Sequence, residues 1–402
     1  MIYANTVGVY QEYFAMEQIK RILDINPALA RKSVFLFGPR QSGKTTYINK
    51  ELNGKFALFW TLLDGRLRIR VQADPSLLRQ EVETRNLHDC AVCIDEIQKC
   101  PELLEEVHLL IEERNIRFLL TGSSARKLRH GGVNLLGGRA LQYYMHPFCY
   151  REIMDIPGIP FTLERAFRNG LIPSMYLSDF PDEDLGAYID TYLTEEIAAE
   201  GAARNLPGFS RFLEFAAKTN AQILNFTNIA NDARLPRQTV KLWYDVLVDT
   251  LLGYEVLPFT ATKKRKAIET PKFYFFDTGI VRALCGIDEI RESNREFGDF
   301  FEQFICMELR AWLDYTGSRQ QLCYWRSTSD YEVDFTIGTE LAIEVKSTQD
   351  VQERHLRGLK ALREENIFQR YIVVCREEHP RTVEGIEILP WQYFLEQLKY
   401  GK

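Results

Sequence analysis

The sequence predicts an α/β protein in three parts: a parallel-sheet core around a phosphate loop, a helical winged segment, and a second α/β domain. Three observations predict it. The apolar run Val34–Phe37 leads into GPRQSGKT and then into a helical pattern. Three short amphipathic helices between 208 and 250 precede a strand ending at Pro258. From 297 onward the pattern reads helix, three strands, helix, strand.

The chain has 402 residues. At roughly 150 residues per domain, that length suggests two or three domains. Hydrophobic residues make up 46% and charged residues 26%, which excludes a disordered or fibrous chain. The formal charge is −6, so the molecule as a whole is no generic polyanion binder. The eight cysteines have irregular spacing and read as reduced thiols. No apolar run approaches the ~20 residues of a membrane span, and MIYANTVGVYQEYF has no export-signal pattern. A soluble, cytoplasmic protein is expected.

Gly38-Pro39-Arg40-Gln41-Ser42-Gly43-Lys44-Thr45, with Thr46 next, fits the GxxxxGK[ST] loop. Gly38 and Gly43 let the backbone curl so that its N–H groups face phosphate oxygens. Lys44 reaches the β and γ phosphates, and the Thr45 hydroxyl is placed to ligate Mg²⁺. The helix that starts near Gly43 aims its positive end at the same anion. ATP and Mg²⁺ are therefore the expected ligands. A second apolar strand, Cys90–Ile94, ends in Asp95-Glu96, where carboxylates flank the phosphate crevice. Asp95 is expected to hold Mg²⁺ and Glu96 to orient the attacking water. A third strand, Ile116–Leu120, ends in Thr121-Gly122-Ser123-Ser124, hydroxyls suited to sensing the γ-phosphate. Arg139 follows two glycines and could stabilise developing phosphoryl charge in cis or from a neighbouring subunit, or simply lie on the surface. This set fits water activation better than the acceptor pocket of a small-molecule kinase.

GPRQSGKTT, CIDEIQKCPELLEEVHLLIEE, RFLLTGSSARKL and LGGRA, in this order, resemble the AAA-type ATPases of the AAA_14/DUF4143 family. The resemblance implies an AAA-like ATPase core over residues 1–150. It assigns Lys44 and Thr45 to nucleotide and Mg²⁺, Asp95 and Glu96 to metal and water, and Arg139 to a GR motif. AAA-like ATPases often place an arginine in the next subunit's site, so a homo-oligomer is plausible by the same resemblance. A competing zinc motif, Cys90-x-x-Cys93 with His88 and Cys100, fits poorly. Residues three apart on a strand face opposite sides, so core cysteines are expected.

Residues 151–207 read as a helical connector, with periodicity clearest in GAYIDTYLTEEIAAEG. Residues 208–272 read as a winged helix-turn-helix. Its helices are FSRFLEFAAKTN, then FTNIANDAR beginning at Thr227, then RQTVKLWYDVLVDT. The third carries Val240, Trp243, Tyr244 and Leu247 on one stripe and Arg237, Gln238 and Lys241 on the exposed face. Residues 204–272 hold eleven Lys and Arg against six Asp and Glu, a local +5. Lys263, Lys264, Arg265 and Lys266 are consecutive after the ribbon strand. Such a surface suits DNA phosphates, or else a solvated loop or a protein partner.

In 290–402, polar residues break the apolar strands at informative places. Asp334 lies inside YEVDFTI, and Glu344 and Lys346 share a face of ELAIEVK. Two carboxylates suit Mg²⁺ with retained waters, and Lys346 could orient or deprotonate a nucleophilic water. This arrangement resembles the PD-(D/E)xK nucleases, with Val333 where proline is common. The resemblance implies a restriction-endonuclease-like fold, phosphodiester hydrolysis, and Glu302 as a helix glutamate at the metal. EVDF and IEVK also match the C-terminal half of DUF4143 proteins. Two expectations result. One is an ATPase acting on a DNA-binding winged helix and a metal-dependent nuclease. The other is a nucleotide-gated protein-interaction module whose nuclease-like domain is catalytically silent.

Overall fold

The computed structural model describes residues 19–124, 135–193 and 205–400. The N-terminal stretch read for an export signal lies outside these residues, as do ARK of the third-strand motif and TEEIAAEG of the connector. Two compact units divide the chain: Arg21–Pro147 with Asp249–Leu252, and Phe148–Val248 with Gly253 onward.

The first unit is built on five parallel strands. They are β1 (Ser33–Phe37), β2 (Leu58–Thr61), β3 (Ala91–Asp95), β4 (Arg117–Gly122) and β5 (Ala140–Tyr144). Helix α1 (Lys44–Glu51) follows β1, and α2 (Leu103–Arg114) precedes β4. The sheet order is β2-β3-β4-β1-β5. Every residue of β1 is buried, which explains its unbroken apolar run: a parallel strand is covered on both faces. Phe35, Phe37, Val92, Ile94, Phe118 and Leu120 pack with Val107 and Leu110 of α2 in one core. The order matters for chemistry. Because β4 lies between β1 and β3, its Thr121 comes between the phosphate loop and Asp95 at the carboxyl edge of the sheet.

In the second unit, short helices at Tyr150–Met154, Leu163–Asn169, Pro173–Leu177 and Pro181–Ala187 come first. Then follow α3 (Leu206–Lys218), β6 (Gln222–Ile223), α4 (Phe226–Ala233), α5 (Arg237–Asp249), β7 (Gly253–Pro258) and β8 (Lys272–Phe275). Val240, Trp243, Tyr244 and Leu247 of α5 are buried. Tyr244 meets Phe212 of α3 edge-on at 5.0 Å and Phe273 of β8 at 4.8 Å. Helix α4 starts one residue before Thr227, because the Asn225 side chain caps it by accepting from Asn228 N at 3.1 Å.

Helix α6 (Thr278–Cys285) is capped by Asp277. The long α7 (Arg295–Tyr315) leads to β9 (Leu322–Arg326), β10 (Glu332–Ile337), β11 (Leu341–Val345), α8 (Arg357–Arg363) and β12 (Arg370–Cys375). Beyond the expected order come β13 (Arg381–Val383), β14 (Ile386–Pro390) and α9 (Trp391–Gln397). One nine-stranded sheet runs β13-β14-β12-β11-β10-β9-β7-β8-β6. Strand β7 joins β9 in parallel at Leu257↔Cys323 and Pro258↔Tyr324. The ribbon after the three helices thus joins the C-terminal sheet through the last two residues of β7.

Candidate functional site

At the end of β1, Gly38 is packed too closely for a side chain. A Cβ there would stand 2.5 Å from Met145 O and 2.9 Å from Ser42 Oγ. Gln41 and Gly43 both adopt left-handed backbone, at φ 61° and 94°, which curls the loop into α1. Lys44 donates to two carbonyls of its own loop, Gly38 O at 2.6 Å and Pro39 O at 3.0 Å. The Ser42 hydroxyl is buried inside the loop without a hydrogen-bond partner. Thr45 is exposed. A curled, amide-rich loop with an orphaned hydroxyl and an inward ammonium group is suited to an anion.

The neighbouring strand ends meet this loop with carboxylates. Asp95 accepts from the Thr121 hydroxyl and, at 3.3 Å, from Thr61 Oγ1. Glu96 sits at φ 61°, and its backbone N–H donates to Thr121 Oγ1 at 3.2 Å. Its carboxylate accepts from Gln98 Nε2 at 2.5 Å, and Gln98 also donates to Ser123 Oγ at 3.0 Å. Arg139 lies on the surface of this unit, paired with Glu112. Burial pushes the Cys93 thiol up and the Cys100 thiol up to about 12, consistent with core thiols.

In the second unit, Asp334, Glu344, Lys346 and Glu302 come together around the β10–β11 hairpin. Phe335 pairs with Ile343, so Asp334 and Glu344 lie across from one another. The β9–β10 register shifts between Val333 and Thr336, so the ladder is irregular across Asp334 and Phe335. Asp334 Oδ2 accepts from Val345 N at 2.8 Å. Lys346 Nζ lies 2.7 Å from Glu344 Oε1 and 3.4 Å from Asp334 Oδ2. Glu344 Oε2 is buried with no partner, and burial, reinforced by Asp334, pushes this carboxyl up to about 8. Among the described residues, no three His, Cys, Asp or Glu side chains converge as a metal cage. Two carboxylates with one orphaned oxygen still fit a Mg²⁺ that keeps several waters.

Glu302, the expected helix ligand, is engaged by a lysine and a tyrosine. Lys272, from β8, inserts its ammonium group 3.2 Å from Glu302 Oε1 and 2.7 Å from Glu332 Oε1. Tyr274, two residues on, donates to Glu302 at 2.6 Å. Burial alone would lower the Lys272 pKa, but the carboxylates of Glu302, Glu332 and Asp334 outweigh it and hold the ammonium form well above its usual range. Sequence reasoning missed Lys272, Tyr274, Glu332 and Gln98. Glu332 was findable, two residues before Asp334 on the same strand. Lys272 was not, because β8 reaches the C-terminal strands only through the pairing of β7 with β9.

On α5, Arg237, Gln238 and Lys241 are exposed, beside exposed Leu242 and Asp245. The basic loop is tied down. Lys263 N, Lys264 N and Arg265 N all donate to the Glu365 carboxylate. Arg265 also bonds Ala361 O at 2.9 Å and Glu364 Oε2 at 2.8 Å. The side chains of Lys263, Lys264 and Lys266 remain exposed.

Comparison with known proteins places these sites in families. Residues 30–154 match an AAA domain, AAA_14, which is a nucleotide-binding ATPase domain. Residues 161–291 match a domain of unknown function, DUF8612, and residues 297–394 match another, DUF4143. Uncharacterized proteins of Mycobacterium bovis and Mycobacterium tuberculosis are each 28% identical over 327 residues, covering 78% of this chain and 70% of theirs. An uncharacterized Haemophilus influenzae protein is 23% identical over 54% of this chain and 56% of its own length. The Aeropyrum pernix ORC1 protein, solved in complex with DNA, aligns with 12% identity and a TM-score of 0.26, over 69% of this chain and 92% of its own. Among the described residues, no helix is long and apolar enough to cross a membrane.

Proposed function

The chain belongs to the AAA_14/DUF4143 family, and on that premise we propose that it hydrolyses ATP with Mg²⁺ and couples nucleotide state to DNA contact and metal-dependent phosphodiester cleavage. In this reading residues 1–150 form the ATPase, 151–207 connect, 208–272 contact DNA and 290–402 carry the nuclease-like site. The observation that carries it is the convergence of the phosphate loop, Thr121 and Asp95-Glu96 on one sheet edge.

The roles follow from the contacts. Lys44 exchanges its loop carbonyls for phosphate oxygens, a charged partner in place of neutral ones. Thr45 and Asp95 are the residues that would hold Mg²⁺, which when bound screens charge on the phosphates. Gln98 and Ser123 fix the carboxylate of Glu96, the residue that orients water. Arg139 is read as supplying charge to the site of a neighbouring copy. Titration calorimetry with ATP and Mg²⁺ tests the core. Lys44→Ala is expected to weaken binding about 10- to 100-fold, the worth of a charged hydrogen bond. Wild-type affinity in that variant would overturn the reading.

For the second site, Asp334 and Glu344 would hold a divalent ion, whose contribution is Lewis-acid stabilisation of phosphoryl charge. Lys346 bridges both carboxylates and orients what binds between them. Mg²⁺-dependent cutting of at least one among linear, circular and branched DNA and RNA is expected and is lost in Asp334→Ala; survival of all of them with Mg²⁺, Mn²⁺ and ATP would overturn it. A second reading, a nucleotide-gated protein-interaction module, is favoured by the clamp of Glu364 and Glu365 on the basic loop. Retention on immobilised DNA that falls with salt supports the first reading. Failure to retain the chain on DNA or RNA even at low salt supports the second.

A further inference from the structure

We propose that Lys272 is a resident cation of the carboxylate cluster, so that this site takes one divalent ion, at Asp334 and Glu344, where its carboxylates could otherwise hold two. The inference rests on reading Asp334 and Glu344 as metal-binding.

Four carboxylates, Glu302, Glu332, Asp334 and Glu344, face two ammonium groups, Lys272 and Lys346. Arg326 also pairs with Glu332, at 3.3 Å, so Lys272 and Arg326 balance Glu302 and Glu332, and the formal excess of one negative charge lies on the Asp334–Glu344 half, where a cation is drawn. The lysines divide the cluster between them. Lys346 serves Asp334 Oδ2 and Glu344 Oε1, leaving Glu344 Oε2 unsatisfied. Lys272 serves the other half, contacting Glu332 and Glu302 and lying 3.9 Å from Asp334 Oδ1. Sites that use two metals for in-line phosphoryl chemistry hold them ~3.5–4 Å apart on shared carboxylates. A buried ammonium group among Glu302, Glu332 and Asp334 occupies what such a second ion would require.

Lys272 is not a mobile surface lysine. It is 3% exposed and sits in a strand paired on both sides, to Val256 of β7 and to Ile223 of β6. Tyr274 faces the same way and holds Glu302 in place by a 2.6 Å hydrogen bond. Withdrawing the ammonium group would leave half-buried Glu302 without a counter-charge and Glu332 with Arg326 alone, which is costly. A cation fixed by two strands is therefore permanent, whereas a metal is exchangeable.

The test is a Mn²⁺ count on the full nucleotide-free chain, by electron paramagnetic resonance of the free ion. The ions belonging to this site are those bound by wild type and lost in the Asp334→Asn, Glu344→Gln double variant. One such ion in wild type and two in Lys272→Met are expected. Two in wild type would overturn the inference while leaving the metal reading intact. One in both wild type and Lys272→Met would also overturn it, because the lysine then holds no ion's place. None in wild type would remove the metal reading and the inference with it. If Lys272→Met does not fold, Lys272→Gln, which keeps most of the length and removes the charge, is judged by the same counts.

Discussion

Glu96 is held at a left-handed φ by its own backbone bond to Thr121 and by a side-chain bond from Gln98. A carboxylate so constrained can orient a water without paying for rotamer entropy at the moment of reaction. Replacing it by glutamine keeps the shape and the contact with Ser123's neighbourhood but removes the charge. Glu96→Gln is expected to retain ATP binding and to lose about 10²-fold or more in phosphate release. Equal turnover in a continuous phosphate assay would count against Glu96 as the water-orienting group. Glu308 illustrates a different use of a buried acid. Burial, reinforced by Glu152, pushes its carboxyl up to about 8, although Tyr150 N donates to it at 2.6 Å. Between the unfolded value near 4.5 and about 8, the native state holds a proton that the unfolded state has released. Stability therefore falls as pH rises through that window, by at most ~1.4 kcal/mol per pH unit from this group. Urea titrations from pH 5 to 8 should show the slope, and Glu308→Gln should make it shallower, leaving the part due to Glu344.

Among the elements, α8 shows how a glycine fixes a helix against a sheet. A Cβ on Gly358 would stand 1.8 Å from Glu332 O and 3.5 Å from Val333. The helix can lie this close to β10 only with no side chain at that point. Gly358→Ala should force α8 off the strand and destabilise the unit by about 1–3 kcal/mol in a urea titration, despite alanine's better helix propensity. A gain in stability would refute the close approach. Elements of this kind were only partly legible from the residues. The apolar runs of β1, β3 and β4 and the stripe Val240-Trp243-Tyr244-Leu247 carry their periodicity in the sequence, and both were read correctly. The loop residues Gly38 to Thr45 are legible as a motif, because a phosphate cradle requires those residue types in that order. Asn225 as the cap of α4 was overlooked in favour of Thr227, since both residues suit a helix start and spacing alone does not rank them. β13, β14 and α9 are short and follow a strand that already completes the helix-and-strand pattern, so their residues carry little periodicity of their own. Lys272 and Gln98 were hidden for a deeper reason. Their roles depend on strand pairing and on a left-handed turn at Glu96, which no local pattern encodes.

The largest consequence of the sheet is that the three-helix segment and the C-terminal strands share it. β7 pairs with β9, Phe259 N donates to Tyr324 O at 2.6 Å, and Ile268 N donates to Arg326 O at 2.8 Å. Lys272 neutralises carboxylates from α7 and β10 across the same boundary. A fragment beginning at residue 290 would keep β9 to β14 but lose β6, β7 and β8. That would expose the backbone edge of β9, a template for aggregation, and leave Glu302 and Glu332 without their ammonium partner. Residues 148–400 keep both. The longer fragment is therefore expected to be soluble and to unfold in a single cooperative transition, with far-ultraviolet circular dichroism and tryptophan fluorescence coinciding. The shorter one is expected to aggregate or to bind a hydrophobic dye. Two separated transitions in the longer fragment, or a well-folded shorter one, would mean that the helical segment and the C-terminal strands are stable apart. Lys272 would then be a contact at an interface, and the charge balance of the cluster would depend on whether that interface is closed.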